Sequence, residues 1–302
     1  MGRIGIVNKE ILPANTNQAL AIIRIANNSG VSVNYLSKYF TSDAITDEIE
    51  ILKGGAAQQN LSLGQLNNLL IPVPALPEQQ RIVAILDEAF AAIDKAKANA
   101  EKNLKNAKEL FESYLQGVFE NKGDGWEIQL FHNCFKLKSG DGLTCKNMAE
   151  NGIYPVFGGN GIAGFHDSYN LSGSNLIIGR VGALCGNVRH INEDIWLTDN
   201  AFKIVDYKFE FNHSFLEYLL NHKNLRDFAR QAAQPVISNS SLKDMIIEFP
   251  NSISKQEIIV QKLDALSAET KRLESIYHHK LIDLEELKKS ILQKAFNGEL
   301  NT

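Results

Sequence analysis

The sequence predicts an α+β architecture: two mixed α/β globular parts, the first shortened, joined by two long helices that pair as an antiparallel coiled coil. Three observations predict it. The chain repeats itself, two long segments carry an unbroken heptad pattern, and short β-branched runs stand between turn residues.

The duplication comes first, because a repeat governs how every later motif is placed. With a shift of 177, GRIG (2–5) falls on GRVG (179–182), ALPEQQRIVAILD (75–87) on SISKQEIIVQKLD (252–264), and ELFESYLQGVF (109–119) on ELKKSILQKAF (286–296). Between these blocks Thr16-Asn17 resembles Thr198-Asp199, and Ala56-Ala57-Gln58 with Leu61-Ser62 resembles Ala232-Ala233-Gln234 with Ile237-Ser238. Matches that keep their order over more than a hundred residues define a repeat. The expected division is a partial globular part at 1–76, a helix at 77–121, a full globular part at 122–253 and a helix at 254–302. The first part lacks the counterpart of residues 126–178, so it is expected to expose unpaired strand edges and apolar surface.

The globular parts take their strands from IYPVF (153–157), NLIIG (175–179) and AFKIV (201–205), each bounded by Gly, Asn or Asp. SFLEYLLNHKNLRDFAR (214–230) has the apolar spacing of an amphipathic helix, and VNYLSKYF (33–40) is its counterpart in the first copy.

The long helices follow from 4-3 spacing sustained over five heptads, the mark of a left-handed coiled-coil seam. In the first the seam runs through Ile82, Leu86, Ile93, Asn103 and Leu110; in the second through Leu263, Leu266, Leu273, Tyr277, Leu284 and Leu287. The first seam is rich in Ala and the second in Leu, Ile and Tyr, so small residues face large ones. Asn103 and Lys280 are polar at matching positions, and a flush antiparallel pairing places Asn103 near Thr270. A helix of 42 residues is about 63 Å long at 1.5 Å per residue, or roughly 18 base-pair steps of B-DNA. Such a pair can act as a spacer.

Composition narrows the function. The chain has no apolar run long enough to cross a bilayer and no secretory signal, so a cytoplasmic location without membrane is expected. Cys134, Cys145 and Cys185 suit neither a disulfide framework nor a zinc knuckle. GNGIAG (159–164) satisfies a dinucleotide pattern, but turn-like sequence follows where a helix is required, so it reads as a glycine-rich loop. No P-loop, zinc-protease helix or nucleophile elbow occurs, and no catalytic residue or metal ligand is assigned.

What remains is a set of loop residues suited to contact. In the second globular part these are Lys138, Ser139, Lys146, Gly159, Asn160, Gly161, His166, Arg180, Asn187, Arg189, Thr198, Asn200, Gln234, Ser238 and Asn239. Their equivalents in the first are Arg3, Asn17, Gln58 and Ser62. Arg, Asn, Gln and Ser/Thr read base edges or hold phosphates. The net charge is −4, and residues 126–248 hold 11 Lys+Arg against 13 Asp+Glu, so any positive face must come from arrangement.

With these marks the chain resembles a specificity subunit of a type I DNA restriction-modification system. The resemblance rests on GWEIQLFHNCFKLKSG (125–140), YPVFGGNGIAGFHDSYN (154–170), IIGRVGALCG (177–186), WLTDNAF (196–202) and PVPALPEQQRIVAILD (72–87). It implies two DNA target recognition domains, each reading half of a two-part site in double-stranded DNA, with the helix pair setting the unread gap. It also implies a chain with no chemistry of its own, docking two methyltransferase (modification) subunits and, in the full complex, motor-nuclease restriction subunits. S-adenosylmethionine, ATP and Mg then belong to those partners. The missing first segment reads as an N-terminally truncated or recombined form, a silent cassette product in one version. A coiled-coil scaffold that binds proteins rather than DNA is the alternative, and the acidic balance favours it.

Overall fold

The computed structural model describes residues 4–17, 20–52, 62–230 and 235–300. The chain divides into two compact units, residues 1–107 with 273–302, and residues 108–272.

The first unit contains α1 (Val33–Tyr39), α2 (Asp43–Leu52), α3 (Leu63–Asn67) and the start of α4 (Leu76–Glu120). The second contains β1 (Trp126–Leu130), α5 (Phe131–Cys134), β2 (Lys136–Ser139), β3 (Tyr154–Gly158), β4 (Gly161–His166), β5 (Asn175–Gly179), β6 (Val188–Ile191), β7 (Trp196–Leu197) and β8 (Ala201–Val205). It continues with α6 (His213–His222), α7 (Asn239–Leu242) and β9 (Ile246–Pro250), and then α8 (Ile253–Phe296) begins. The two long helices start one residue before their expected bounds, and α4 ends one residue and α8 six residues before the expected ends.

In the first unit α4 and α8 run antiparallel. Lys97 bridges Glu285 at 2.6 Å and Asp94 bridges Lys288 at 3.6 Å. Such exposed pairs stabilise little, but they mark the register. Extended, that register sets Asn103 level with the turn around His279 rather than with Thr270, as a flush pairing would require. Beneath the ion pairs Ile82 and Leu86 pack with Leu292 and Ala295, and Tyr35 of α1 joins the same cluster. Phe296 meets Tyr35 and Tyr39 edge-on at 5.5 and 5.1 Å, tying α1 to the end of α8.

The seam departs from the heptad after its polar residue in both helices. Ile82, Leu86, Ile93 and Ala100 are buried, but Asn103, Leu110 and Tyr114 are exposed, and the covered line passes through Leu104, Ala107, Phe111 and Leu115. In α8 the line runs through Leu263, Leu266, Thr270, Leu273 and Tyr277, then through Leu281 and Leu284, leaving Lys280 and Leu287 exposed. A straight helix has 3.6 residues per turn, so a strict 3.5 spacing drifts around it, and one four-residue step restores the face. Repeat symmetry places that step at Asn103 and at Lys280 alike.

Each long helix also begins with a buried glutamine performing one task. Gln79 Oε1 accepts from the Ser32 amide at 2.8 Å, while its Nε2 donates to the carbonyls of Gly30 and Pro74, both at 2.7 Å. Gln256 Oε1 accepts from the Asn212 amide at 2.9 Å, and its Nε2 donates to the carbonyls of Glu210 at 3.2 Å and Pro250 at 3.0 Å. Ser32 and Asn212 are the N-caps of α1 and α6, so each glutamine fixes the same helix entry in its repeat.

The second unit is built on a sheet of order β2-β8-β5-β6, antiparallel throughout, with a separate β4-β3-β7 sheet and a β1-β9 pair. β5 is apolar along its length because both of its faces are covered. Leu176 and Ile178 enter a core with Phe202, Ile204 and the α6 residues Phe215, Leu216, Leu219 and Leu220. Ile177 enters a second core with Phe157, Ile195 and Leu197. β5 and β8 have the sequence-predicted bounds, and β3 is displaced by one residue. Two expectations change. The helix foreseen at 214–230 stops at His222, because Asn224 adopts left-handed backbone (φ 48, ψ 68) and a short 3-10 turn follows. GNGIAG (159–164), read as a glycine-rich loop, forms the hairpin tip and most of β4 against β3.

Candidate nucleic-acid interface

β3 and β4 join in a hairpin whose tip is Gly159-Asn160, closed by the pair Gly158 and Gly161. The tip lies against backbone. A Cβ on Gly159 would stand 2.1 Å from the Val181 carbonyl oxygen and 3.0 Å from that of Asn200. Close approach therefore demands glycine here. Asn160 Oδ1 accepts from the Leu184 amide at 3.0 Å, so the tip holds the loop after β5.

That loop carries Arg180. Its amide donates to the Asn200 carbonyl at 3.0 Å, and its own carbonyl accepts from the Ile237 amide at 2.9 Å. The guanidinium lies 5.3 Å from the Phe202 ring centroid, and Nη1 donates to the Asp199 carbonyl at 3.4 Å. Arg180 Nε is buried without a partner among the described residues. Nε is closed to solvent, so an anionic or acceptor-rich ligand would meet the Nη groups instead.

β-sheet register adds a grouping of charge that spacing alone conceals. Lys138 of β2 stands opposite Lys203 of β8, Lys203 opposite Ile177 of β5, and Ile177 opposite Arg189 of β6. Residues directly opposite share a face, so on one face Lys138 and Lys203 stand to one side of the buried Ile177 and Arg189 to the other. Among the described residues none of the three joins an ion pair. Lys138 and Lys203, like charges set directly opposite, oppose folding unless something negative offsets them, whereas Arg189 has Glu217 as an electrostatic neighbour. Arg189 also reaches the hairpin tip, its Nη2 lying 3.5 Å from where a Gly161 Cβ would stand. Residue type and spacing alone do not single out Lys203. It lies within AFKIV, which reads as strand, and only pairing reveals its neighbours.

The structure thus gathers Gly159, Asn160, Gly161, Arg180, Asn187, Arg189, Thr198 and Asn200 at one end of the two sheets. Within that group Thr198 is buried, its Oγ1 donating to the Phe157 carbonyl at 3.1 Å, and it shapes the turn. Asn187 uses its carbonyl to accept from the Gly179 amide at 3.0 Å. Ser139 stands opposite Phe202 in the β2–β8 pairing. Ser238 caps α7 through a capping box with Ser241, and Asn239 Nδ2 donates to the Leu137 carbonyl at 3.3 Å, so both have structural work. His166 pairs with Tyr154 at the far end of the hairpin, edge-on to Trp196 at 4.8 Å, away from the tip. Lys146 is exposed on a separate 3-10 turn. In the first unit Asn17 is exposed, and Ser62 caps α3, accepting from the Gln65 amide at 3.2 Å. Arg3, Gln58 and Gln234 lie outside the described residues.

Two cysteines serve the core. Cys134 and Cys185 are buried, and burial pushes the Cys134 thiol up to about 12, which leaves it inert as a nucleophile. Among the described residues no three His, Cys, Asp or Glu side chains are placed to hold a metal ion, and no helix is long and apolar enough to cross a membrane.

Two sheets, a glycine-tipped hairpin and paired long helices define the class, and comparison with known proteins agrees. The profile described as Type I restriction modification DNA specificity domain matches residues 1–105 and 124–278. The chain belongs to that family. It is 29% identical to the type I restriction enzyme EcoprrI specificity subunit of Escherichia coli over 68% of this chain and 52% of the relative. It is 25% identical to the StySPI specificity subunit of Salmonella potsdam over 89% of this chain and 66% of that one. The chain thus spans about half to two thirds of the length of these relatives. Among solved structures, the HsdS subunit from Thermoanaerobacter tengcongensis superposes with a TM-score of 0.62 at 21% identity, covering 91% of this chain and 72% of that one. A chain from work on complex assembly and conformational transition of the type I R-M system superposes with a TM-score of 0.75 at 20% identity, covering 88% and 71%.

Proposed function

We propose that this chain reads DNA sequence for a type I restriction-modification complex and performs no chemistry itself. The observation that carries the reading is the set of cations Lys138, Lys203 and Arg189 together with Arg180 beside the hairpin tip. In this reading these cations form the positive face that the net charge of −4 conceals. Lys138, Lys203 and Arg189 hold phosphates, while Arg180, Asn160 and Asn200 present donors and acceptors to base edges. S-adenosylmethionine, and ATP with Mg, are assigned to the partner subunits.

Two modification subunits dock on the long helices. Leu110 and Leu287 occupy equivalent positions in the repeat, and both stand in solvent, 58% and 47% exposed. Repeated apolar patches on a duplicated helix suit two copies of one partner.

The test is binding of the full chain to duplex DNA carrying its site, by fluorescence anisotropy across a salt series. Lys203→Gln should weaken binding to all sequences and flatten the dependence of log K on log[salt] by about one phosphate contact. Arg180→Ala should lower preference for the cognate site. Affinity and salt slope unchanged in both variants would remove this face from the reading and favour the protein-binding scaffold.

A further inference from the structure

The turn after β5 is fixed through its backbone and sends two apolar side chains into solvent. The Leu184 amide donates to Asn160 Oδ1 at 3.0 Å, and the Leu184 carbonyl accepts from the Asn187 amide at 3.1 Å. The Ala183 carbonyl accepts from Arg226 Nη1 at 3.1 Å. The amides of Cys185 and Gly186 donate to the carbonyls of Gly182 and Gly179 at 3.1 and 2.8 Å. Gly186 adopts left-handed backbone (φ 89), and a Cβ there would stand 2.6 Å from the Arg226 amide nitrogen. Gly182, Cys185 and Gly186 are buried and Val181 is half-buried, so in 181–186 only Ala183 and Leu184 are exposed. Leu184 is 42% exposed and joins neither apolar core of this unit.

A lone exposed leucine is ordinary on a protein surface. This one is held rigidly four residues after Arg180, against the hairpin residue Asn160 and beside the exposed Arg226. Two side chains fall far short of the about 800 Å² per partner that a stable protein interface buries. A single apolar group on a nucleic acid is a target of the right size. The edges of the base pairs offer one in the major groove, the thymine C5-methyl, and apolar side chains recognise it by contact.

We propose that Leu184 reads the methyl group of a thymine in the major groove. The inference rests on the reading of this face as a DNA interface and gives it a base. Arg180 and Arg226 draw the phosphate backbone toward the turn, and the fixed main chain sets the leucine in place before DNA arrives.

The experiment measures binding of the full chain to duplexes carrying its mapped site, in which each thymine in turn is replaced by deoxyuridine. That change removes one methyl group. The wild type should prefer the site to a scrambled duplex and lose about fourfold in affinity at one thymine, the worth of one buried methyl group. Leu184→Ser should bind the unmodified site more weakly and lose nothing further from that replacement, while Leu184→Met should restore the sensitivity. Both variants should keep the wild-type melting temperature, because the turn is held through its main chain. Equal losses in the wild type and Leu184→Ser, or no thymine whose replacement weakens the wild type, overturns the proposal and leaves the DNA reading standing. A lowered melting temperature in Leu184→Ser assigns the side chain to the fold and also overturns it. No preference of the wild type for the site overturns the DNA reading and this proposal together.

Discussion

Gln79 and Gln256 concentrate three hydrogen bonds each at a buried point where no water competes. Removing one side chain strands an amide and two carbonyls, and an unsatisfied buried group costs about 1–3 kcal/mol. Gln256→Leu should therefore cost about 3 kcal/mol or more, measured by denaturant unfolding, and Gln79→Leu should match it because the bonding is the same. A second residue-scale device is Ser174, whose Oγ lies 2.8 Å from His190 Nε2 and 2.8 Å from His213 Nδ1. Burial pushes both imidazoles below the usual histidine range, and their proximity lowers His213 further. A histidine with a depressed folded pKa contributes stability that is present above its unfolded pKa near 6.5 and is lost as pH falls through the folded value. The melting temperature should thus fall as pH drops from about 7 to 5, and His213→Gln should flatten that slope. An unchanged slope would assign the acid sensitivity elsewhere.

At the scale of elements, the four-residue step in each long helix separates residues that hold the pair from residues left for a partner. Leu104 lies on the covered line, while Leu110 and its equivalent Leu287 lie off it. Leu110→Asp and Leu287→Asp should each leave folding unchanged within about 0.5 kcal/mol, as exposed substitutions do, yet lower modification-subunit stoichiometry on co-purification. Leu104→Asp should instead lower the melting temperature. Full stoichiometry in both exposed variants would move docking to another face. The same step explains what the heptad pattern could and could not disclose. Periodicity identified both helices, because 4-3 spacing over five heptads has no strand reading. It misplaced Asn103, Leu110 and Leu287, because 3.5 and 3.6 residues per turn diverge only over several turns. β5 and β8 were legible as short apolar runs bounded by turn residues. β1, β4 and β9 were not, since each gains its identity from its partner. Arg180 and Asn160 stood out by residue type in a repeated loop. Lys203 did not, because the charge grouping is a property of register.

For the whole molecule, the question is which repeat reads DNA. The second unit has the sheets, the hairpin and the cations Lys138, Lys203, Arg189 and Arg180, while the described residues of the first form no sheet. Base readout needs loops held within fractions of an ångström by rigid elements, and 20–25 lies outside any such frame. Co-expression with the cognate modification subunit in a methylation-free host, followed by mapping of methylated adenines, decides the matter. The expected motif has base-specific positions set by the second unit alone: palindromic if two chains act together. Exchanging residues 126–250 for those of another family member should then change every specified base. A two-part asymmetric motif that keeps one half after the exchange would show the first unit reading DNA as it stands. In that event the amides of 20–25 should become protected when cognate DNA is added.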